Sequence, residues 1–92
     1  MQLDPDQLEN RLHDEFSATE SQVRVVVRQA IDLAEAGQYE ADVGTAVTAA
    51  VVVAELGDAP SGTVPERWNW WIGSLELAFG GYERFGIQRY RT

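Results

Sequence analysis

The 92-residue sequence predicts an all-α fold: a small up-and-down helical bundle of three main helices with a short N-terminal helix as a fourth, in a single domain over residues 1–92. Three observations predict it. Capping residues stand ahead of apolar-periodic runs, apolar residues recur at three- and four-residue steps, and turn residues concentrate at Gly37 and between Gly57 and Pro65.

The first helix starts with Asp4 as N-cap, Pro5 at the first helical position and Gln7 three residues after the cap, with Leu3 placed to staple onto Leu8. Leu8, Leu12 and Phe16 then recur every four residues, and the helix ends near Ser17. Ser17-Ala18-Thr19-Glu20 reads as a second capping box, opening a helix that turns Val23, Val26, Val27, Ala30, Leu33 and Ala34 inward. Its outer face holds Glu20/Arg24 and Arg28/Asp32 at helical spacing, and Gly37 ends it.

From about Tyr39 to Leu56 runs a helix that is apolar nearly all round, with Val43, Ala46, Val47, Ala50, Val51 and Ala54 on one face and Ala49, Val52 and Val53 on others. Such a helix belongs at the centre of the bundle. The runs Val25-Val26-Val27 and Val51-Val52-Val53 are also β-prone, but length and alanine content decide for helix. Residues 57–62 form the loop, and Thr63-Val64-Pro65-Glu66 is a third capping box. The last helix then carries Trp68, Trp71, Ile72, Leu75, Phe79, Tyr82 and Phe85 on one strongly apolar face, leaving Trp70 and Leu77 off it. The tail from Ile87 to Thr92 is basic and aromatic, and either packs back or frays.

Composition limits function. The chain has 15 acidic and 7 basic residues, a net charge of −8, and every basic residue is arginine. Phosphate binding is driven by counterion release to a basic surface, so the balance argues against nucleic acid, and against an anionic membrane surface. The longest apolar run, Ala46 to Ala54, is too short to span a bilayer, and the first residues lack the charged and apolar regions of a signal peptide. There is no cysteine, so no disulfide or thiolate chemistry arises, and a cytoplasmic location is expected. The lysine-free composition, rich in Asp, Glu, Ala, Val and Gly, resembles that of proteins from halophilic archaea. In molar salt the repulsion among carboxylates is screened while solubility is kept.

No catalytic, cofactor or metal site is expected. His13 is the lone histidine and reads as a surface residue; the carboxylates lie at spacings of solvated helix faces, and no nucleophile, base and orienter assemble. Arg84, Arg89 and Arg91, with Tyr82 and Tyr90, offer a small anion patch, but pairing with the acidic first helix is the favoured reading. The informative segment is Arg67-Trp68-Asn69-Trp70-Trp71-Ile72-Gly73, which holds all three tryptophans. Its rings suit a partner surface or a ligand pocket anchored by Arg67 and Asn69. Gly73, Gly80 and Gly81 each cost about 1 kcal/mol inside a helix. Gly73 and Gly80 share nearly one side and admit a second backbone; the alternative is that Gly80-Gly81 ends or kinks the helix.

Ala78-Phe79-Gly80-Gly81-Tyr82-Glu83-Arg84-Phe85-Gly86-Ile87 is similar to the final helix of a short archaeal family of unknown function, numbered 357. The resemblance implies a small helical domain of haloarchaeal type and supplies no catalytic residues. The hairpin at Gly37-Gln38-Tyr39 is similar to those of nucleotide-binding helical bundles linked to toxins, but the Arg-x₄₋₆-His motif of those families is absent. The expected function is therefore a non-enzymatic interaction module, forming a homodimer or meeting another protein through Arg67, Asn69, Trp70, Gly73, Leu77, Gly80 and Gly81. The alternative is a small-molecule-binding regulatory bundle using the same Trp/Gly surface.

Overall fold

The computed structural model describes residues 2–87 and is all-helical over them. Five α-helices follow in order: α1 (Pro5–Phe16), α2 (Glu20–Ala36), α3 (Gln38–Val43), α4 (Ala49–Gly57) and α5 (Val64–Phe79), then a 3₁₀ turn at Glu83–Phe85. Both α1 and α5 pack against α2 and α4, so the four longer helices close a ring around one core. That core is built from Leu8 and Leu12 of α1, Val23, Val26 and Leu33 of α2, Val52 and Leu56 of α4, and Trp68, Trp71 and Ile72 of α5.

Asp4 caps α1 as expected, but Gln7 does not reach back to close a reciprocal box. The Asp4 carboxylate accepts from the N–H groups of Asp6 and Gln7 at 3.1 and 3.3 Å, and Leu3 and Leu8 are both buried. The second start is displaced by two residues. Ser17 does not cap α2; it closes α1 in the left-handed region (φ 53), its N–H bonded to the His13 carbonyl. Thr19 caps instead, with Gln22 reaching back in a reciprocal box at 3.2 and 3.1 Å. Both residues have a polar partner three positions on, and the chain reversal needs Ser17 for the turn. His13 is half-buried rather than on the surface, and its Nδ1 donates to the Ala18 carbonyl at 3.1 Å. Of the two pairs expected on α2, Arg24–Glu20 forms at 3.2 Å; among the described residues the other ion pair is Arg11–Glu15, not Arg28–Asp32.

The long central helix is two helices. Gly44 (φ 93) ends α3 in a conformation that a β-carbon would strain, and after a short extended link Thr48 caps α4 by accepting from Val51 N–H at 3.1 Å. The break resets the helical phase, so α4 buries Ala49, Val52, Val53 and Leu56, while Ala50 and Ala54 face solvent and Val43 is 40% exposed. The apolar surface of the segment is thus divided between two short helices rather than wrapped by neighbours.

Glu55 on α4 has its pKa raised from the ordinary value of 4.5, first by burial and then by the charge of Asp58. A proton held more tightly in the fold means the native state binds more protons than the unfolded one from about that value upward, so this group costs stability as pH rises through the window. Glu55→Gln is expected to melt with wild type well below pH 4, where the carboxyl is protonated in both states, and above it at pH 7. Thermal melts at the two pH values check this; an equal offset at both contradicts it.

Candidate functional site

Helix α5 starts where the sequence places it. Thr63 accepts from Glu66 N–H and Glu66 Oε1 accepts from Thr63 N–H, at 3.4 and 2.8 Å. It does not run on to Phe85. Gly80 (φ 79) and Gly81 (φ 83) are both left-handed and turn the chain out of α5, so they end the helix instead of offering a packing groove along it. A β-carbon on Gly81 would also stand 3.0 Å from the Gln38 amide. Tyr82 and Phe85 are still buried, but on a segment that folds back over the bundle, and Phe79, expected inside, is 49% exposed.

Side chains of α3 and α5 hold that returning segment. Glu76 Oε1 accepts from the N–H groups of Tyr82 and Glu83 at 2.7 and 3.0 Å. Gln38 donates to the Gly81 carbonyl at 2.9 Å and accepts from Arg84 at 3.0 Å. Arg84 therefore packs with α3 and over the Phe85 ring, not with the acidic first helix. The Tyr82 hydroxyl donates to Asp42 at 2.8 Å; burial first, then that bond and the Asp42 charge, push its pKa up and keep it protonated. Arg89, Tyr90 and Arg91 lie outside the described residues.

Residues 68–71 divide the work. Trp68 is fully buried, and its indole N–H donates to the Phe85 carbonyl at 2.8 Å. The Asn69 amide grips Ile87 twice, donating to its carbonyl at 2.8 Å and accepting from its N–H at 2.7 Å. Trp71 stands edge-on to Trp68 (5.3 Å, 86°) and to Tyr39 (5.6 Å, 71°), joining α5 to α3 through ring quadrupoles. Trp70 alone points out, 41% exposed.

A family model for the WNWW domain matches residues 1–76, and the four letters of its name are those of residues 68–71. The chain belongs to the WNWW-domain family. No curated protein and no solved structure matches it. In this WNWW domain the matched stretch stops short of Phe85 and Ile87, the residues that Trp68 and Asn69 hold.

The expected surface divides in two. Arg67 is taken up inside, donating to the carbonyls of Leu56, Ala59 and Gly62 at 3.0, 3.3 and 2.9 Å and lying over the Phe16 ring. It thereby ties the end of α4 and the following loop to the first turn of α5. Asn69, Gly80 and Gly81 serve the returning segment. Trp70, Gly73 and Leu77 remain together on the outer side of α5; Leu77 is 92% exposed, and nothing lies within 4 Å of where a Gly73 β-carbon would stand. The bonds of Arg67 and Asn69 escaped sequence reasoning because their partners are backbone atoms, which have no residue-type signature. Among the described residues no group of His, Asp or Glu is placed to hold a metal ion, and no helix is long and apolar enough to cross a membrane.

Proposed function

We propose that this WNWW domain is a non-enzymatic interaction module that self-associates through the Trp70–Gly73–Leu77 strip of α5. The exposure of Trp70 and Leu77 on one side of a helix whose other side is committed to the core carries this reading. Contiguous apolar surface on a small domain marks a contact site, and the open backbone at Gly73 lets an opposing helix come close. A strip that meets its own copy favours a two-fold contact, the commonest oligomer geometry. The small-molecule reading asks Arg67 and Asn69 to line a concavity with Trp70, whereas both side chains are spent on internal hydrogen bonds. The setting we propose is the salt-rich cytoplasm of a halophilic archaeon, on the strength of the −8 charge and the absence of lysine.

Sedimentation equilibrium in molar KCl at tens of micromolar protein is expected to give twice the 10.2 kDa of one chain, and Trp70→Glu to give one chain with helicity retained. A monomer for the wild type refutes the proposal. Thermal melts are expected to rise by many degrees between low and molar KCl as carboxylate repulsion is screened; a flat or falling melting temperature removes the halophilic setting.

A further inference from the structure

The bundle grips the returning segment chiefly by its main chain. Gln38 donates to the Gly81 carbonyl, Glu76 accepts from the N–H groups of Tyr82 and Glu83, and the Trp68 indole donates to the Phe85 carbonyl. Asn69 takes both the N–H and the carbonyl of Ile87. Main-chain bonds of this kind hold a peptide whatever its side chains, and leave selection to the pockets beside them. We propose that these side chains form a peptide-binding cleft, that residues 81–87 are its built-in occupant, and that a partner protein enters it by presenting a segment of the same pattern.

The resident segment spells out that pattern. Gly81 has φ 83, and a β-carbon there would stand 3.0 Å from the Gln38 amide, so the first position takes glycine. Tyr82 is fully buried and its hydroxyl donates to Asp42 at 2.8 Å, which selects tyrosine next. Glu83 and Arg84 are exposed, so two positions are free. Phe85 is buried, a β-carbon on Gly86 would press to 3.3 Å on the Glu83 carbonyl, and Ile87 packs against the core. The partner segment is therefore Gly-Tyr-x-x-aromatic-Gly-aliphatic.

Cleft and occupant are separable. Gln38, Asp42, Trp68, Asn69 and Glu76 all lie within the family-matched residues 1–76, and the atoms they grip on the returning segment all lie beyond them. The two are joined through Gly80 and Gly81, both left-handed, a region that glycine enters and leaves at little cost. Nothing lies within 4 Å of where a Gly80 β-carbon would stand, so the hinge itself is open. Trp70, Gly73 and Leu77 make none of these bonds, and the cleft goes beyond the self-association reading without depending on it. Tethering gives the resident segment an effective concentration in the millimolar range, so a partner of equal intrinsic affinity displaces half of it only at about that concentration.

The probe is an unlabelled synthetic peptide with the sequence of residues 79–87, capped at both ends and added to the full, isotope-labelled chain in molar KCl. With peptide bound, NMR is expected to show the chain's own Ile87 amide at its unstructured position and Overhauser contacts from the peptide's rings to Trp68, while the α1 amides stay in place. Ile87→Pro in the chain removes the N–H that Asn69 accepts from, and Gly86 ahead of it is already extended (ψ 153). This variant is expected to bind the peptide several-fold more tightly than wild type, and Phe85→Ser, if it keeps its helicity, roughly tenfold more tightly. Phe85→Ser in the peptide, or Asn69→Leu added to the Ile87→Pro chain, is expected to weaken binding by a similar factor. No binding to the Ile87→Pro chain at millimolar peptide overturns the proposal, as do contacts to Trp70 and Leu77 in place of Trp68, or an affinity that Asn69→Leu leaves unchanged. A mixture of labelled and unlabelled wild-type chains without peptide covers the remaining case: a Phe85–Trp68 contact passing between chains makes a second copy the occupant and overturns the partner-protein proposal.

Discussion

Trp68→Ala is expected to remove about 3–5 kcal/mol of folding free energy, the usual cost of deleting a fully buried large aromatic side chain. A domain of this length holds on the order of 5–14 kcal/mol in all, so the variant sits near the edge of folding at ambient temperature. The side chain is fully buried, it meets the Trp71 ring edge-on, and its N–H holds the Phe85 carbonyl. Trp68→Phe separates these parts. It keeps most of the ring and loses the donor, leaving the Phe85 carbonyl without the indole, for about 1–3 kcal/mol. Equilibrium urea denaturation in high salt measures both. An alanine variant within about 1 kcal/mol of wild type would mean that the site collapses around the cavity, and the central role given to this residue would be lost.

The second large effect is local. Asn69→Leu deletes both hydrogen bonds to Ile87, while Asn69→Asp keeps an acceptor for the Ile87 N–H and sets a negative oxygen against the Ile87 carbonyl. Each lost bond in this half-buried position is worth about 1 kcal/mol, so with both gone the returning segment opens roughly thirtyfold more often in the leucine variant. Hydrogen exchange is expected to accelerate at Ile87 and Phe85 in both variants, more in leucine, while Leu12, Val26 and Leu33 in the core keep their protection. If exchange rises equally across the whole chain, the segment is part of the global folding unit rather than a separately latched piece.

How much of this was legible before the fold was seen follows from where each signal is written. Helix starts are local: Asp4 and Thr63 cap as their spacing implies, and so does the gathering of Trp68, Trp71, Ile72 and Leu75 on one face. Two local signals in conflict were not resolvable in this way, as at Ser17 and Thr19, where either residue has a polar side chain three positions on. The break at Gly44 was masked by apolar residues on both sides, since a periodic pattern continues on paper through a residue that turns the backbone by φ. At the candidate surface, Trp70 and Leu77 were readable as residues off the core face. The duties of Arg67 and Asn69 were not, because a side chain that bonds a carbonyl 5–18 residues away leaves no trace in residue types.

The three tryptophans occupy three different surroundings within four residues: Trp68 sealed and hydrogen-bonded, Trp71 packed edge-on between two rings, Trp70 open to water. Their emission therefore sorts itself without any label. Light from Trp70 is red-shifted and open to a collisional quencher such as acrylamide, while Trp68 and Trp71 emit toward the blue and are shielded until the chain unfolds. One cuvette measurement thus reads two events: covering of the α5 strip as loss of the quenchable fraction, and melting of the core as a red shift of the remainder.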